Sequence, residues 1–550
     1  MSLLNTVRDL ERLRQIVLVL VRHGFGEVVQ RTGLGSLVAG KTVAEQATSR
    51  VKVGERLRLV VQDLGPSFIK LGQIVSTRPD IIPEEIILEF KKLQDAVPPV
   101  PFAELRDHVE KELGATIGDV FDNLEESPLA SASIGQVHRA TLRTEQGPLD
   151  VVVKIQRPNI RNTIERDVDL LYWLARAIER SIPESRIYSP VKLVGEFDRA
   201  IQAELDFKLE ADNAERFAAN FAGHTSARFP LVHRGASSRR LLTLEYLPGL
   251  KIYEAVARGA SAERIAKTSL SIIVKQVFED GFFHADPHPG NILILGPPES
   301  PEVALVDLGL VGRLTPKLRD RTIDLMVAAV RKDYRAMADA LYAIGTPTKK
   351  IDRDAFEAEV AVLADRYLGR RLGDIEVSGM IRDLIYGATK YGIEIPPDFL
   401  LVGKALMTVE GIGKEIYPEL DVFAELKPYF VELLKQRYSP ERIGQDLMHT
   451  AMRLSGAASE MPMQLQEILD DLRKGSLSMQ VHEPALRVSS DQLGRRLFSG
   501  LVVASLLLGS AILIAADSPI VGAVFLAAGV VWVTLYSAIL AFLGRRKKRT

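Results

Sequence analysis

His284-Ala285-Asp286-Pro287-His288-Pro289-Gly290-Asn291, then the apolar run Ile292-Leu293-Ile294-Leu295, then Asp307-Leu308-Gly309 sixteen residues after Asn291: this stretch decides the reading of the chain. Phosphoryl transfer asks a protein for positioning and charge neutralisation, usually through Mg²⁺ held by oxygen ligands. Asn291 and Asp307 offer such oxygens for a metal, and Asp286 can orient a nucleophile. Each residue alone reads as a turn or cap, and a lone Asp-Leu-Gly carries almost no information. An Asp, an Asn five residues on, a hairpin and an Asp-x-Gly together are far more specific. His284 and His288 flank Asp286 and raise a zinc reading. The chain has no Cys and no third His nearby, and the two prolines make a rigid loop rather than a helix face, which argues against zinc.

Working outward, the other half of a kinase-type nucleotide site lies upstream. Val151-Val152-Val153-Lys154-Ile155 is a β-branched run with one embedded lysine. A strand of this kind carries the phosphate-pairing lysine of kinases, although lysines also protect sheet edges. Before it, residues 130–140 read as strand, small-residue loop (Ala130, Ser131, Ala132, Ser133) and strand. The strand region is expected to begin near residue 128. Helices are expected over residues 157–222. There Glu204, Asp206 and Glu210 form either a solvated acidic face or a source of the helix glutamate that a kinase-type lysine needs, with Glu204 the candidate. Residues 240–249 read as a strand entering a hinge, where adenine would meet backbone groups around Glu245 and Leu247.

The chain has 550 residues and a formal net charge of −1, so two or more domains are expected and no global field draws it to nucleic acid. The absence of Cys excludes a disulfide framework and a cysteine nucleophile. Residues 1–24 carry charges ahead of a short apolar stretch. They read as an amphipathic helix that packs on the body or lies on a membrane, not as a signal peptide. At the other end, residues 497–516 and 520–544 are uncharged, separated by Asp517-Ser518-Pro519. Both are long enough to span a bilayer. Arg495 and Arg496 precede the first and a basic tail follows the second. The positive-inside rule therefore puts both flanks on the cytoplasmic side of a transmembrane hairpin.

With these motifs in place, the chain resembles the UbiB/AarF family of atypical protein-kinase-like proteins over about residues 50–430. Lys70-Leu71-Gly72-Gln73 resembles the family's Lys-x-Gly-Gln signature, and Ala130-Ser131-Ala132-Ser133 its alanine-rich loop. Lys154 matches the strand lysine and Glu204-Leu205-Asp206 the Glu-x-Asp motif, while Glu210 lies at a further family glutamate. His284 to Asn291 matches the catalytic loop and Asp307 the metal-binding Asp. The resemblance implies that Lys70 and Gln73 lie on a helix folded over the nucleotide site, where a peptide substrate would otherwise sit. It implies ATP and Mg²⁺ as cofactors and a link to isoprenoid-quinone biosynthesis, with quinone-pathway enzymes and intermediates as partners. It also fits a bacterial inner-membrane protein with its body in the cytoplasm. No residue pattern assigns an oligomeric state.

The expected architecture is α+β: a bilobal kinase-like fold with a helical N-terminal extension and a C-terminal transmembrane hairpin. The expected divisions are an extension over 1–125, an N-lobe with inserted helices over 126–250, a C-lobe over 251–430, a helical linker over 431–494, and two membrane helices with a basic tail over 495–550. Against ordinary kinases, the small-residue loop holds only Gly135, no long activation segment follows Asp307, and His284-Ala285-Asp286 lacks the usual Arg. The expected activity is a membrane-anchored ATPase. The alternatives are a true protein or small-molecule kinase, or a non-catalytic scaffold that senses nucleotide.

Overall fold

A computed structural model describes residues 7–35, 52–76, 82–93, 97–182, 185, 189–368, 377–437, 448, 502–511, 523–524 and 527–532. The chain divides into two units, Met1–Ser439 and Pro440–Thr550. The first unit opens with helices α1 (Val7–Arg22), α2 (Gly26–Arg31), α3 (Val53–Leu64), α4 (Pro66–Val75) and α5 (Glu84–Phe90). The α1 helix packs on the body. Leu13, Ile16 and Val17 are buried, and Arg12 donates to both oxygens of the buried Asp167 at 2.8 and 3.0 Å. Gly65, at φ +95°, ends α3 in a conformation costly for other residues, and Pro66 then starts α4 in its first turn.

Helix α6 (Phe102–Leu113) stops at the left-handed Gly114, and the single turn α7 (Ile117–Val120) is set by a Thr116–Asp119 capping box. Strands β1 (Phe121–Ser131), β2 (Gly135–Thr144) and β3 (Gly147–Gln156) follow as an antiparallel meander. The strand region therefore begins at Phe121, not near residue 128. Three irregularities in the β1–β2 register interrupt the alternation by which a strand is recognised in sequence. Phe102, Leu105 and Val109 of α6 share a core with Phe121, Val151, Val153 and Ile155. The N-lobe core thus reaches back well before the expected boundary at 126.

Three helices, α8 (Ile160–Ser181), α9 (Pro190–Glu204) and α10 (Phe207–Asn220), separate β3 from β4 (Ala227–Arg228), β5 (Leu241–Glu245) and β6 (Leu250–Lys251). Strand β5 pairs antiparallel with β3 and completes the first sheet, in the order β1-β2-β3-β5. Helices α1, α3 and α4 share a core with α8, α9 and the inner residues of β5.

Helices α11 (Ile252–Ala257) and α12 (Ala262–Val274), with a π-turn at Lys275–Asp280, lead to β7 (Phe282–His284), β8 (Ile292–Leu295), β9 (Glu302–Leu305) and β10 (Val311–Arg313). The β8–β9 hairpin is the centre of a second sheet, ordered β4-β9-β8-β6, while β7 pairs with β10. The remainder is helical: α13 (Pro316–Arg331), α14 (Tyr334–Ile344), α15 (Arg353–Leu368), α16 (Val377–Lys390), α17 (Pro397–Ile416) and α18 (Val422–Arg437), with a short ladder between β11 (Thr346–Pro347) and β12 (Ile393–Glu394). Thr315 caps α13 by accepting from the Leu318 N–H at 3.2 Å. Helix α18 runs straight through the expected division at 430/431. This is the mixed α and β composition of a kinase-like fold.

In the second unit, residues 502–511 are helical. The expected membrane spans, 497–516 and 520–544, lie largely outside the described residues. Among the described residues no helix is long and apolar enough to cross a membrane.

Phe217 of α10 links the inserted helices to the second sheet. It is fully buried and its ring meets those of Phe229 at 5.2 Å and Phe282 at 4.6 Å. Phe217→Ala is expected to lower stability by about 3–5 kcal/mol through lost burial and a residual cavity. Denaturant unfolding should show a lower midpoint with little change in slope.

Candidate active site

Strand β3 turns Val151, Val153 and Ile155 into the core under α6, and alternation puts Lys154 on the opposite face. The Lys154 ammonium donates to Glu210 Oε1 and Oε2 at 3.0 and 2.8 Å and to Asp307 Oδ1 at 3.0 Å. It also lies 5.3 Å from the centre of the Phe207 ring. Burial works against its charge, but Asp307 and Glu210 prevail and hold Lys154 above the usual lysine range. Lys154, with a further contribution from Lys70, holds Asp307 well below the usual carboxylate range. Burial pushes the Glu210 carboxyl up, against the pull of Lys154.

The expected Lys154–Glu204 pair is not formed; Glu210 takes that place. Helix α9 ends at Glu204, the chain turns, and Glu210 stands one turn into α10, facing β3. The Glu204 carboxylate instead receives Lys70 Nζ of α4 at 2.8 Å. Gln73 lies one turn further along α4, half-buried. Asp206 caps α10 by accepting from the Lys208 N–H at 3.2 Å, and it accepts from Arg239 at 2.7 and 2.9 Å. The Glu-x-Asp motif therefore anchors the Lys70 helix through one residue and starts α10 through the other.

The small-residue loop joins β1 to β2 beside the same strand. Ala130 is exposed, Ser131 and Ala132 are half-buried, and Ser133 is buried with an Oγ that has no hydrogen-bond partner among the described residues. Arg157 holds the loop, donating to Ala132 O at 3.0 Å, Ser131 Oγ at 2.8 Å and Pro98 O at 2.9 Å. A Cβ at Gly135 would meet the Ile155 carbonyl oxygen at 2.7 Å, so glycine there permits β2 to approach β3. At the hinge, the Glu245 N–H donates to Leu231 O at 2.8 Å and its carboxylate pairs with Arg228. Leu247 is buried and its carbonyl accepts from the Gly249 N–H at 2.8 Å.

The opposite wall is the 284–291 loop. His284 is fully buried, and its Nδ1 accepts from the Asp286 N–H at 3.1 Å. Burial pushes the His284 imidazole down to about 4, so the ring is neutral near pH 7. Gln276, in the π-turn, accepts from the His284 N–H at 3.0 Å. Asp286 Oδ1 pairs with Lys404 Nζ of α17 at 2.9 Å. Burial raises the Asp286 carboxyl, but Lys404 outweighs it and leaves the group below its ordinary value. Asn291 is nearly buried; its Nδ2 donates to Asp286 O at 3.3 Å and its backbone carbonyl accepts from the Val306 N–H at 2.9 Å. The β8–β9 hairpin thus brings Asn291 and Asp307 to the same end. Asp307 has φ +58°, an uncommon backbone for a residue with a side chain. The two residues offer hard oxygen donors, a set that fits Mg²⁺, which takes few protein ligands and completes its shell with phosphate and water.

Four site residues escaped the sequence reading: Arg157, Gln276, Lys404 and Asn213, whose Nδ2 donates to Leu308 O at 3.0 Å. A signal existed for Lys404, a lone charge among the apolar residues Phe399 to Met407. The other three are ordinary polar residues whose partners lie in distant segments.

Comparison with known proteins places residues 92–341 in an ABC1 atypical kinase-like domain and residues 360–421 in a UbiB helical domain. The chain is similar to proteins named "Probable protein kinase UbiB". That of Marinobacter nauticus is 33% identical over 82% of this chain and 84% of its own. That of Aliivibrio fischeri is 31% identical over 95% and 97%. That of Pseudomonas aeruginosa is 37% identical over 71% and 73%.

The two glutamates should separate in a stability measurement. Glu210→Gln leaves Lys154 buried with one carboxylate fewer and is expected to cost about 3 kcal/mol. Glu204→Gln breaks a more exposed pair and should cost under about 1 kcal/mol. Equal losses in thermal or denaturant unfolding would contradict the assignment of Glu210 as the structural partner.

Proposed function

The chain belongs to the UbiB family of ABC1 atypical kinase-like proteins, and on that premise we propose that it is a membrane-anchored ATPase supporting ubiquinone or related isoprenoid-quinone biosynthesis. The observation that carries the reading is the convergence of Lys154, Glu210 and Asp307 from three separated segments. An ammonium shared by two carboxylates is poised for exchange. Phosphate oxygens can replace Asp307 on Lys154, which would free the Asp307 carboxylate as a metal ligand.

In this reading ATP lies between the β1-β2-β3-β5 sheet and the helical lobe. Lys154 contacts the α- and β-phosphates, and Glu210 keeps it in place. The Ala130–Ser133 loop covers the phosphates, and the unpartnered Ser133 hydroxyl is one group there with hydrogen-bonding capacity to spare. Asn291 and Asp307 would hold Mg²⁺, which neutralises phosphate charge when bound. Asp286 orients a water. The water oxygen bonds to the γ-phosphorus as the bond to the β–γ bridging oxygen breaks. ADP leaves with that electron pair, and the water's proton passes through Asp286 to solvent.

The Lys70–Glu204 pair supports water over a protein hydroxyl as acceptor. It ties α4 to the end of α9 beside the Lys154 cluster, leaving less room for a peptide. The uncharged stretches 497–516 and 520–544, with basic flanks, support an anchor that keeps the body on the cytoplasmic side of a bacterial inner membrane. The names of the relatives support the quinone pathway.

Titration of the full chain with Mg-ATP should give saturable binding that is lost on chelation. Asp307→Asn should weaken it by about tenfold or more, at least ~1.4 kcal/mol. In a deletion strain the wild-type gene should restore quinone levels and the Asp307→Asn gene should not. Unchanged nucleotide affinity sinks the site. Unchanged quinone levels on deletion sink the pathway alone. Labelled γ-phosphate on a lipid or protein, lost with Asp286→Asn, would replace the ATPase with a kinase.

A further inference from the structure

Asp286, the residue assigned to orient the nucleophile, is covered by a cation that no motif in the chain predicts. Lys404 Nζ of α17 lies 2.9 Å from Asp286 Oδ1. The two side chains keep 27% and 35% of their exposure, so the pair is half-buried. The residues around Lys404 on α17 are core: Phe399, Leu400, Val402, Ala405, Leu406 and Val409 are all buried. Lys404 reaches the loop from that packed helix.

The loop itself supplies no permanent cation. From His284 to Leu295 it contains no Lys or Arg. Its two histidines are both engaged at Nδ1 as acceptors: His284 from the Asp286 N–H at 3.1 Å and His288 from the Gly290 N–H at 3.0 Å. Burial keeps the His284 imidazole neutral near pH 7. Lys154, backed by Glu210, is assigned to the α- and β-phosphates, and Lys70 reaches Glu204. Phosphoryl transfer places negative charge on the equatorial oxygens of the moving group, and a cation aimed at that position stabilises it. A carboxylate that orients the attacking oxygen must lie next to the γ-phosphoryl. A group 2.9 Å from that carboxylate is within a side-chain rotation of the same place.

We propose that Lys404 is a catalytic residue of this site, which leaves Asp286 for the γ-phosphate when Mg-ATP binds and neutralises the phosphoryl group during transfer. The assignment rests on the nucleotide reading above and deepens it. Without nucleotide, Lys404 blocks Asp286. With ADP, which has no γ-phosphate, it returns to Asp286. The site thereby senses the γ-phosphate through a residue of the helical lobe.

The test compares Mg-ATP and Mg-ADP affinities of the full-length wild type, Lys404→Met and Lys404→Arg. Matched melting temperatures establish folding, and Lys404→Gln substitutes if the methionine variant does not fold. Lys404→Met should weaken Mg-ATP relative to Mg-ADP by about tenfold, equivalent to ~1.4 kcal/mol. It should also slow phosphate release by about 10²–10³-fold. Lys404→Arg, which keeps the charge, should recover most of the ATP preference. An ATP-to-ADP ratio within about twofold of wild type overturns the proposal, as does an equal loss for both nucleotides, and both outcomes leave the nucleotide site standing. A wild type that binds neither nucleotide removes the site and Lys404's role together.

Discussion

The ammonium of Lys154 is shared by Glu210 and Asp307, and the rest of the site is arranged around that constraint. A largely buried cation is costly unless paired, and the two carboxylates keep the Lys154 ammonium charged and in place. The three residues come from β3, α10 and the turn after β9, so the contact ties the first sheet to the helices inserted after it and to the second sheet. Few other positions for these elements would satisfy the charges.

Around this contact each neighbouring ion pair sets the place of one more element. Lys70 on Glu204 docks α4 beside the cluster, and Lys404 on Asp286 brings α17 to the 284–291 loop. Arg157 sets the course of the Ala130–Ser133 loop through backbone carbonyls and one hydroxyl. A glycine-rich loop wraps phosphate through backbone freedom; this loop has one glycine, needed for strand approach, and its shape is imposed by an arginine. The loop is held by side chains from outside it.

Much of this was legible from local pattern. The β-branched run marked β3, and the apolar run after Asn291 marked the hairpin that leads to Asp307. Local signals failed where non-local contact decided. The bulged register of β1 hid a strand whose buried residues, Phe121 and Leu124, do not alternate. In the acidic cluster 204–210 the sequence reading chose Glu204, because spacing along the chain does not say where one helix ends and the next begins. The turn after Glu204 decided it, sending Glu204 to α4 and Glu210 to β3. Lys404 is separated from its partner by several helices, and only the packing of α17 brings them together.

By itself the sequence determined the chemical inventory: a strand lysine, oxygen donors at Asp286, Asn291 and Asp307, a small-residue loop, and long uncharged stretches near the C-terminus. These follow from residue type and short-range spacing, which covalent geometry transmits over a few residues. The tertiary structure alone decided which acid meets which base. A charge pair forms between whatever side chains the hydrophobic cores bring within about 3 Å, and those cores are assembled from segments far apart in the chain.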